Sequence, residues 1–247
     1  FKGFKDWGTW NAILTEISRA GFVVISFNHS HNGGTVKNPI DFPDLAAFAE
    51  NTYSKELEDL SCIHQWIMNN KCTYLQKSDL DSIYLIGHSR GGGIASVYAS
   101  ENKHIKKLIT WAAVDSFMAR LPKEDELNEW EKKGVYYIEN KRTKQLMPMK
   151  YGFVKELLEN KDRLNIEQAL KNLSIPYLII PGKNDQVVTY NSAINLNTWS
   201  KHSKLLAIEK ANHVFNGSHP FEENKLSLET ERLILETIDF FKSSSLD

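Results

Sequence analysis

Five short apolar runs recur along the chain: Phe22–Phe27 (FVVISF), Ile83–Ile86 (IYLI), Leu108–Ala112 (LITWA), Tyr177–Ile180 (YLII) and Leu205–Ile208 (LLAI). A strand with one wet face alternates apolar and polar residues. A run without that alternation, rich in β-branched side chains and bounded by turn residues, reads as a strand buried on both faces. Helical patterns lie between the runs. Trp10–Ala20 puts Ile13, Leu14 and Ile17 on one face before Gly21, and Ser54–Asn70 sets Leu57, Leu60, Ile63, Ile67 and Met68 at helical spacing. Arg90–Ser100, Asn191–Ser200 and Glu229–Lys242 complete the series. Strands alternating with helices predict an α/β fold, a mostly parallel sheet flanked by helices.

From Val114 to Asn172 the alternation stops. The stretch is charged and aromatic, shows no buried strand, and predicts a helical insertion at 114–172 into a core built from 1–113 and 173–247. Long insertions between strands are often functional, which favours a lid over a site; a helical decoration without substrate contact is the other reading. Trp130, Tyr136, Tyr137, Tyr151 and Phe153 either line an apolar pocket or form the insertion's own small core. The basic cluster Lys141–Lys150 (KRTKQLMPMK) reads as solvated surface, since nearby acidic residues almost balance it.

Several function classes are disfavoured. Thirty Lys and Arg against 31 Asp and Glu leave a net charge of −1, whereas a nucleic-acid binder shows a basic excess. No apolar run reaches membrane-spanning length, so no membrane insertion is expected. Cys62 and Cys72 are too few for a disulfide framework, and no Cys/His cluster suggests a metal. They fit a reducing, cytoplasmic setting. The opening FKGFKDWGTW lacks the apolar centre of a signal peptide.

The chemistry gathers at Tyr84–Ser96, YLIGHSRGGGIAS. Gly87-His88-Ser89-Arg90-Gly91 matches G-x-S-x-G in the context that motif requires, after a strand and at the start of a helix. A turn this sharp needs small neighbours and lifts Ser89 above the sheet. The helix after it aims N–H groups and a positive dipole end at developing negative charge. A serine hydroxyl needs a base. His213 stands after the last run, in ANHVF, and Asp185 stands after an earlier one, in PGKNDQVV. Each lies just past a strand's C-terminal end, where open α/β sheets collect their sites.

These residues carry a resemblance. IGHSRGG, PGKNDQVV and ANHVF, in that order, resemble the α/β-hydrolase superfamily, of the type grouped with dienelactone-hydrolase-like and acyl-peptidase-like serine hydrolases. FKGFKDW and SFNHSHNGG resemble the same group, and the likeness spans essentially the whole chain, with the insertion matched only loosely. The resemblance implies Ser89 as nucleophile, His213 as base and Asp185 as the residue that orients the imidazole. It also implies an oxyanion hole, with the N–H of Arg90 as one donor. The second donor is Phe1, because FKGFK resembles the segment just after a His-Gly pair in the family. The His-Gly pair itself and the strand before it are absent. In the family that strand lies beside the one carrying the nucleophile, so residues before Phe1 are expected in the natural protein.

Other candidates are weaker. Lys2, His31 and Trp111 are candidates for substrate contact, with loop packing an equal reading for His29 and His31. Arg90 either binds a substrate carboxylate or points outward. His88 reads as a structural neighbour of the corner and His219 as a loop residue. The expected activity is hydrolysis of the carboxylic ester of a small-molecule acyl substrate, with no cofactor. Peptide, amide or thioester cleavage and acyl transfer use the same residues. A non-catalytic binding module on a hydrolase scaffold is the alternative of another class. A haloalkane dehalogenase would need a carboxylate where Ser89 stands.

Overall fold

The computed structural model describes residues 1–69, 73–222 and 225–244. Cys72, and Asn70 at the end of the second predicted helix, lie outside the described residues. In chain order the elements are α1 (Trp10–Arg19), α2 (Leu45–Ala49), α3 (Tyr53–Asn69), α4 (Thr73–Gln76), β1 (Ile83–His88), α5 (Arg90–Glu101) and β2 (Ile105–Trp111). A 3₁₀ turn (Met118–Arg120) leads to α6 (Glu124–Lys133), β3 (Val135–Glu139), β4 (Leu146–Lys150), α7 (Gly152–Glu159) and α8 (Ile166–Lys171). The chain then forms β5 (Tyr177–Ile180), α9 (Tyr190–Trp199), β6 (Ser203–Leu205) and α10 (Leu228–Lys242).

The main sheet has the order β1-β2-β5-β6, and every pairing in it is parallel. All four residues of β5 are buried, as the unbroken YLII run requires. Tyr177 and Ile179 face one core with Ile94, Leu108 and Leu196. Leu178 and Ile180 face a second with Ile13, Ile17, Ile109 and Leu233. Successive side chains of a strand point to opposite faces, so one four-residue run supplies both layers. α1 and α10 cover the second face. Ile13 and Ile17 of α1 are fully or almost fully buried. α10 begins where the Ser227 hydroxyl accepts the Thr230 N–H at 3.1 Å, a side-chain cap for an otherwise orphan donor. At its other end Lys107 Nζ donates to the carbonyls of Phe240, Phe241 and Ser243 at 2.7, 3.1 and 2.5 Å, pinning the helix to β2.

Three expectations change. Among the described residues, Phe22–Phe27 forms no strand and joins no sheet. A ladder needs a partner about 4.8 Å away. Here a cavity of about 920 Å³ separates Val23, Ile25 and Phe27 from Ile83, Leu85 and Gly87 of β1. β1 therefore ends the sheet, and the sheet does not close over its free edge. The run at Leu205–Ile208 pairs earlier than its apolar pattern suggests, as β6, with only a single bridge from Ile208 to Gly182.

The insertion at 114–172 is not all helical. β3 and β4 form an antiparallel hairpin in which Tyr137 faces Pro148 and Ile138 faces Met147. VYYIE is β-branched and aromatic, and its partner buries Met147 and Met149 while exposing Leu146 and Lys150. That is the alternation of a strand with one wet face. Trp130 is buried, lies 5.2 Å from Tyr136 and 6.2 Å from Phe153, and donates its indole N–H to Met149 O at 2.9 Å. Phe153 in turn packs 4.7 Å from Tyr53 of α3. The aromatics thus form the insertion's own core, fused to the main one, while Tyr137 stays exposed. No residue of 114–172 lines the large cavity.

Candidate active site

β1 ends at His88, and the chain reverses through Ser89 at φ 56°, ψ −123° before α5 begins at Arg90. For a residue with a Cβ this is a strained backbone, of the kind that persists only when the surroundings over-determine it. The surroundings here do so. Ser89 N–H donates to Trp111 O at 2.9 Å, while its carbonyl accepts from Gly92 and Val114 at 3.0 and 3.2 Å. A Cβ on Gly87 would lie 2.4 Å from Gly91 O and 2.7 Å from Gly92 Cα, so helix and strand approach this closely only because Gly87 has none. Gly91 has nothing within 4 Å of its imagined Cβ. Of the motif's two glycines Gly87 must be small and Gly91 need not be, while one residue further on a Cβ on Gly92 would lie 2.4 Å from Ala113 Cβ.

Asp185 follows β5 and His213 follows β6, both in loops at the end of the sheet where Ser89 stands. His213 Nε2 lies 2.9 Å from Ser89 Oγ, and His213 Nδ1 lies 2.7 Å from Asp185 Oδ2. Asp185 Oδ1 accepts the N–H groups of Val187 and Val188 at 2.7 and 2.9 Å. Its carboxylate is buried. Burial pushes its pKa up, but the bonds from His213, Val188 and Val187 outweigh that and hold it below the ordinary aspartate value. Both loops are tied down. Asn184 N–H donates to Ala211 O at 3.0 Å, and the Asn212 side chain accepts from Val214 and Asn216 at 3.0 and 2.9 Å. The three side chains, far apart in the chain, can pass a proton from hydroxyl to imidazole with a carboxylate behind it.

At the first position of α5, the N–H of Arg90 has no preceding turn to bond with and stands next to Ser89. The Arg90 side chain neither points outward nor lies free for a substrate. Its guanidinium is buried and paired with Glu56 of α3 through two bonds, Nε–Oε2 at 3.1 Å and a second from Nη2 to Oε1. The rings of Phe1, Tyr53 and Phe153 stand 4.6, 4.8 and 5.3 Å from it. Asn51 Nδ2 donates to Glu56 at 2.8 Å. Burial raises the Glu56 pKa, but the Arg90 charge and its hydrogen bonds dominate and bring it down to about 2. Sequence reasoning missed Glu56: it is one of many acidic residues on an amphipathic helix, and only tertiary packing brings it to Arg90.

Phe1 stacks on Phe48 at 5.7 Å, and its ring stands beside the Arg90 guanidinium. Lys2 donates to Glu139 O at 3.1 Å, and His31 bonds the neighbouring Ser30 hydroxyl at 2.7 Å; neither lines the large cavity. Trp111 does line it, stacks on Trp10 at 6.1 Å, and keeps a buried indole N–H with no hydrogen-bond partner among the described residues. His29 bonds Asp59 at 3.2 Å, which is loop packing. His219 Nδ1 accepts the Gly8 N–H at 2.8 Å and its ring stacks on Trp7 at 5.7 Å, which is loop packing. The cavity reaches Gly87, His88, Arg90 and Gly91 but runs along the free edge of β1 and does not open on Ser89. Among the described residues no group of His, Cys, Asp and Glu could hold a metal ion, and no helix is long and apolar enough to cross a membrane.

A family model described as the alpha/beta hydrolase fold matches residues 3–146, more than half of the chain. The chain belongs to the α/β-hydrolase family. No curated protein sequence matches this hydrolase closely enough to count as a relative. Among solved structures it is similar to Est1E from Butyrivibrio proteoclasticus with bound ferulic acid: 18% identity, 97% of this chain and 84% of that one covered, TM-score 0.69. It is similar to mouse alpha/beta hydrolase domain-containing protein 10, at 18% identity with 97% and 86% covered and a TM-score of 0.65. It is also similar to a Paleococcus ferrophilus monoacylglycerol lipase, at 13% identity with 94% and 88% covered and a TM-score of 0.65. At such identities the likeness establishes the fold.

Proposed function

We propose that this α/β hydrolase is a serine hydrolase that cleaves a carboxylic ester through an acyl-serine intermediate. One observation carries the reading: the unbroken chain from Ser89 Oγ to His213 Nε2 at 2.9 Å and from His213 Nδ1 to Asp185 Oδ2 at 2.7 Å, at a serine held with positive φ. Ser89 Oγ attacks the acyl carbonyl as its proton passes to His213 Nε2. The negative charge then on the carbonyl oxygen is held by the N–H of Arg90, with Phe1 as the second donor; one such donor is worth about 2.7–4 kcal/mol. His213 returns the proton to the departing alkoxide, and the alcohol leaves. Water, deprotonated by His213, attacks the acyl-serine, frees the acid and restores Ser89. Asp185 accepts Nδ1–H throughout, fixing the tautomer and stabilising the imidazolium.

The esterase and lipase neighbours favour the ester over the amide, as does the motif likeness to dienelactone-hydrolase-like enzymes. The acyl group is of small-molecule size in this reading. A fluorophosphonate probe tests the nucleophile directly. Labelling of the protein that vanishes in Ser89→Ala is expected. Folded protein that does not label overturns the reading in favour of a binding module. Nitrophenyl esters of graded acyl length, run beside the matching anilides, then separate esterase from amidase.

A further inference from the structure

His88 has no part in the steps above, yet it precedes the nucleophile in the chain and touches the base. It is the last residue of β1, and its Nε2 lies 2.7 Å from the main-chain oxygen of His213. A carbonyl supplies no proton, so Nε2 carries the hydrogen and donates it. Burial first, and then the neighbouring His213, bring the His88 pKa down to about 3, so the ring is neutral with Nδ1 bare. The ring lies 4.8 Å from the His213 ring and 5.0 Å from the indole of Trp10. Trp10 is itself backed by Trp111 at 6.1 Å and Trp7 at 5.9 Å.

The loop that carries His213 is fixed to itself and to the Asp185 loop, through Asn212, Asn216 and the Asn184–Ala211 bond, and to α10, where Phe215 O accepts the Ser227 and Thr230 hydroxyls at 3.0 and 2.7 Å. Those ties set His213 against its carboxylate. They do not set it against Ser89, which belongs to a different strand-turn-helix unit. The bond from His88 does, because His88 precedes Ser89 in the chain and its own backbone is fixed in the β1–β2 ladder opposite Trp111. The imidazole must reach Ser89 Oγ and then the leaving group, and a misplacement of about 1 Å at such a centre can cost about 100-fold in rate.

We propose that His88 is a positioning residue. Its Nε2–H anchors the His213 main chain to the nucleophile's own strand, and its ring, in contact with Trp10, packs against the imidazole. The proposal rests on the serine-hydrolase reading and goes beyond it. A neutral ring at this place also adds no positive charge beside the imidazolium that forms during the reaction.

His88→Phe keeps a ring and removes the donor; His88→Gln keeps an N–H donor at a similar reach. Steady-state kinetics on nitrophenyl acetate and fluorophosphonate labelling rates are measured for both, with thermal melts to establish folding. Expected for His88→Phe is a fall in kcat and in labelling rate of about 10–100-fold with KM almost unchanged, and for His88→Gln recovery of most of that loss. If His88→Phe does not fold, His88→Met, apolar and pliant, takes its place in the comparison. A folded donor-less variant with wild-type kcat, or one that raises KM alone, overturns the proposal. So does His88→Gln that folds and is no faster than the donor-less variant. Wild-type protein that fails to label sinks the serine-hydrolase reading itself; wild-type labelling with equal rates in every variant sinks only the role of His88.

Discussion

Ser89 holds its backbone at φ 56° because hydrogen bonds to Trp111, Gly92 and Val114 compel it, and Asp185 stays ionised because three donors outweigh its burial. Removing the hydroxyl leaves those backbone bonds in place. Ser89→Ala is therefore expected to lower kcat by at least about 10⁴-fold with an unchanged melting temperature. Asp185→Asn turns the acceptor of Nδ1–H into a potential donor and favours the wrong tautomer; its kcat is expected to drop by about 10⁴-fold as well. Rate assays beside calorimetry of each variant check both. Glu56 makes a different kind of contribution. Glu56→Gln leaves Arg90 buried without its counter-charge and is expected to cost about 3–5 kcal/mol, seen as a lower urea midpoint. Its folded pKa, near 2, lies below the unfolded value of 4.5. The stability it adds is complete above about pH 4.5 and is lost as the pH falls toward about 2. The melting temperature of the wild type should fall through that window, and that of Glu56→Gln should fall less.

At the scale of elements, the junction of β1 and α5 is tight at Gly87 and Gly92 and open at Gly91. Gly87→Ala would force a Cβ into backbone atoms at 2.4 and 2.7 Å, which have no flexible end to yield. It should lower stability by more than about 2 kcal/mol, or prevent folding, as backbone clashes in cores do. Gly91→Ala meets nothing within 4 Å on a helical residue. It should raise stability by about 0.5–1 kcal/mol, because alanine gives up less backbone freedom on entering a helix. Denaturant melts of the two variants should move in opposite directions. The hairpin of β3 and β4 shows the same dependence on context. Its residues escape a search for runs buried on both faces, because one of its faces is wet.

At the scale of the whole molecule, the four-stranded sheet separates two cores, and the free edge of β1 faces Phe22–Phe27 across the cavity. Hydrogen exchange should report this division. Amides of Leu108–Trp111, in a strand paired on both sides there, should exchange slowly, and those of Phe22–Phe27, outside any ladder, orders of magnitude faster. Equal protection of the two segments would show that Phe22–Phe27 is paired after all.

Most of the architecture was legible in local pattern. Unbroken apolar runs marked β1, β2 and β5, helical spacing marked α1, α3, α5 and α10, and turn residues marked the loops that carry Ser89, Asp185 and His213. These features obey short-range rules of side-chain period and backbone sterics, which act within a few residues and so are written in order along the chain. The partners that complete the site were not legible: Glu56 on Arg90, the His88 bond to the His213 carbonyl, the ladder denied to Phe22–Phe27, the hairpin among predicted helices. Each depends on which surfaces the folded chain brings within a hydrogen bond of each other. A contact between residues 34 or 125 positions apart leaves no periodic trace in either segment, so only the tertiary structure could decide it.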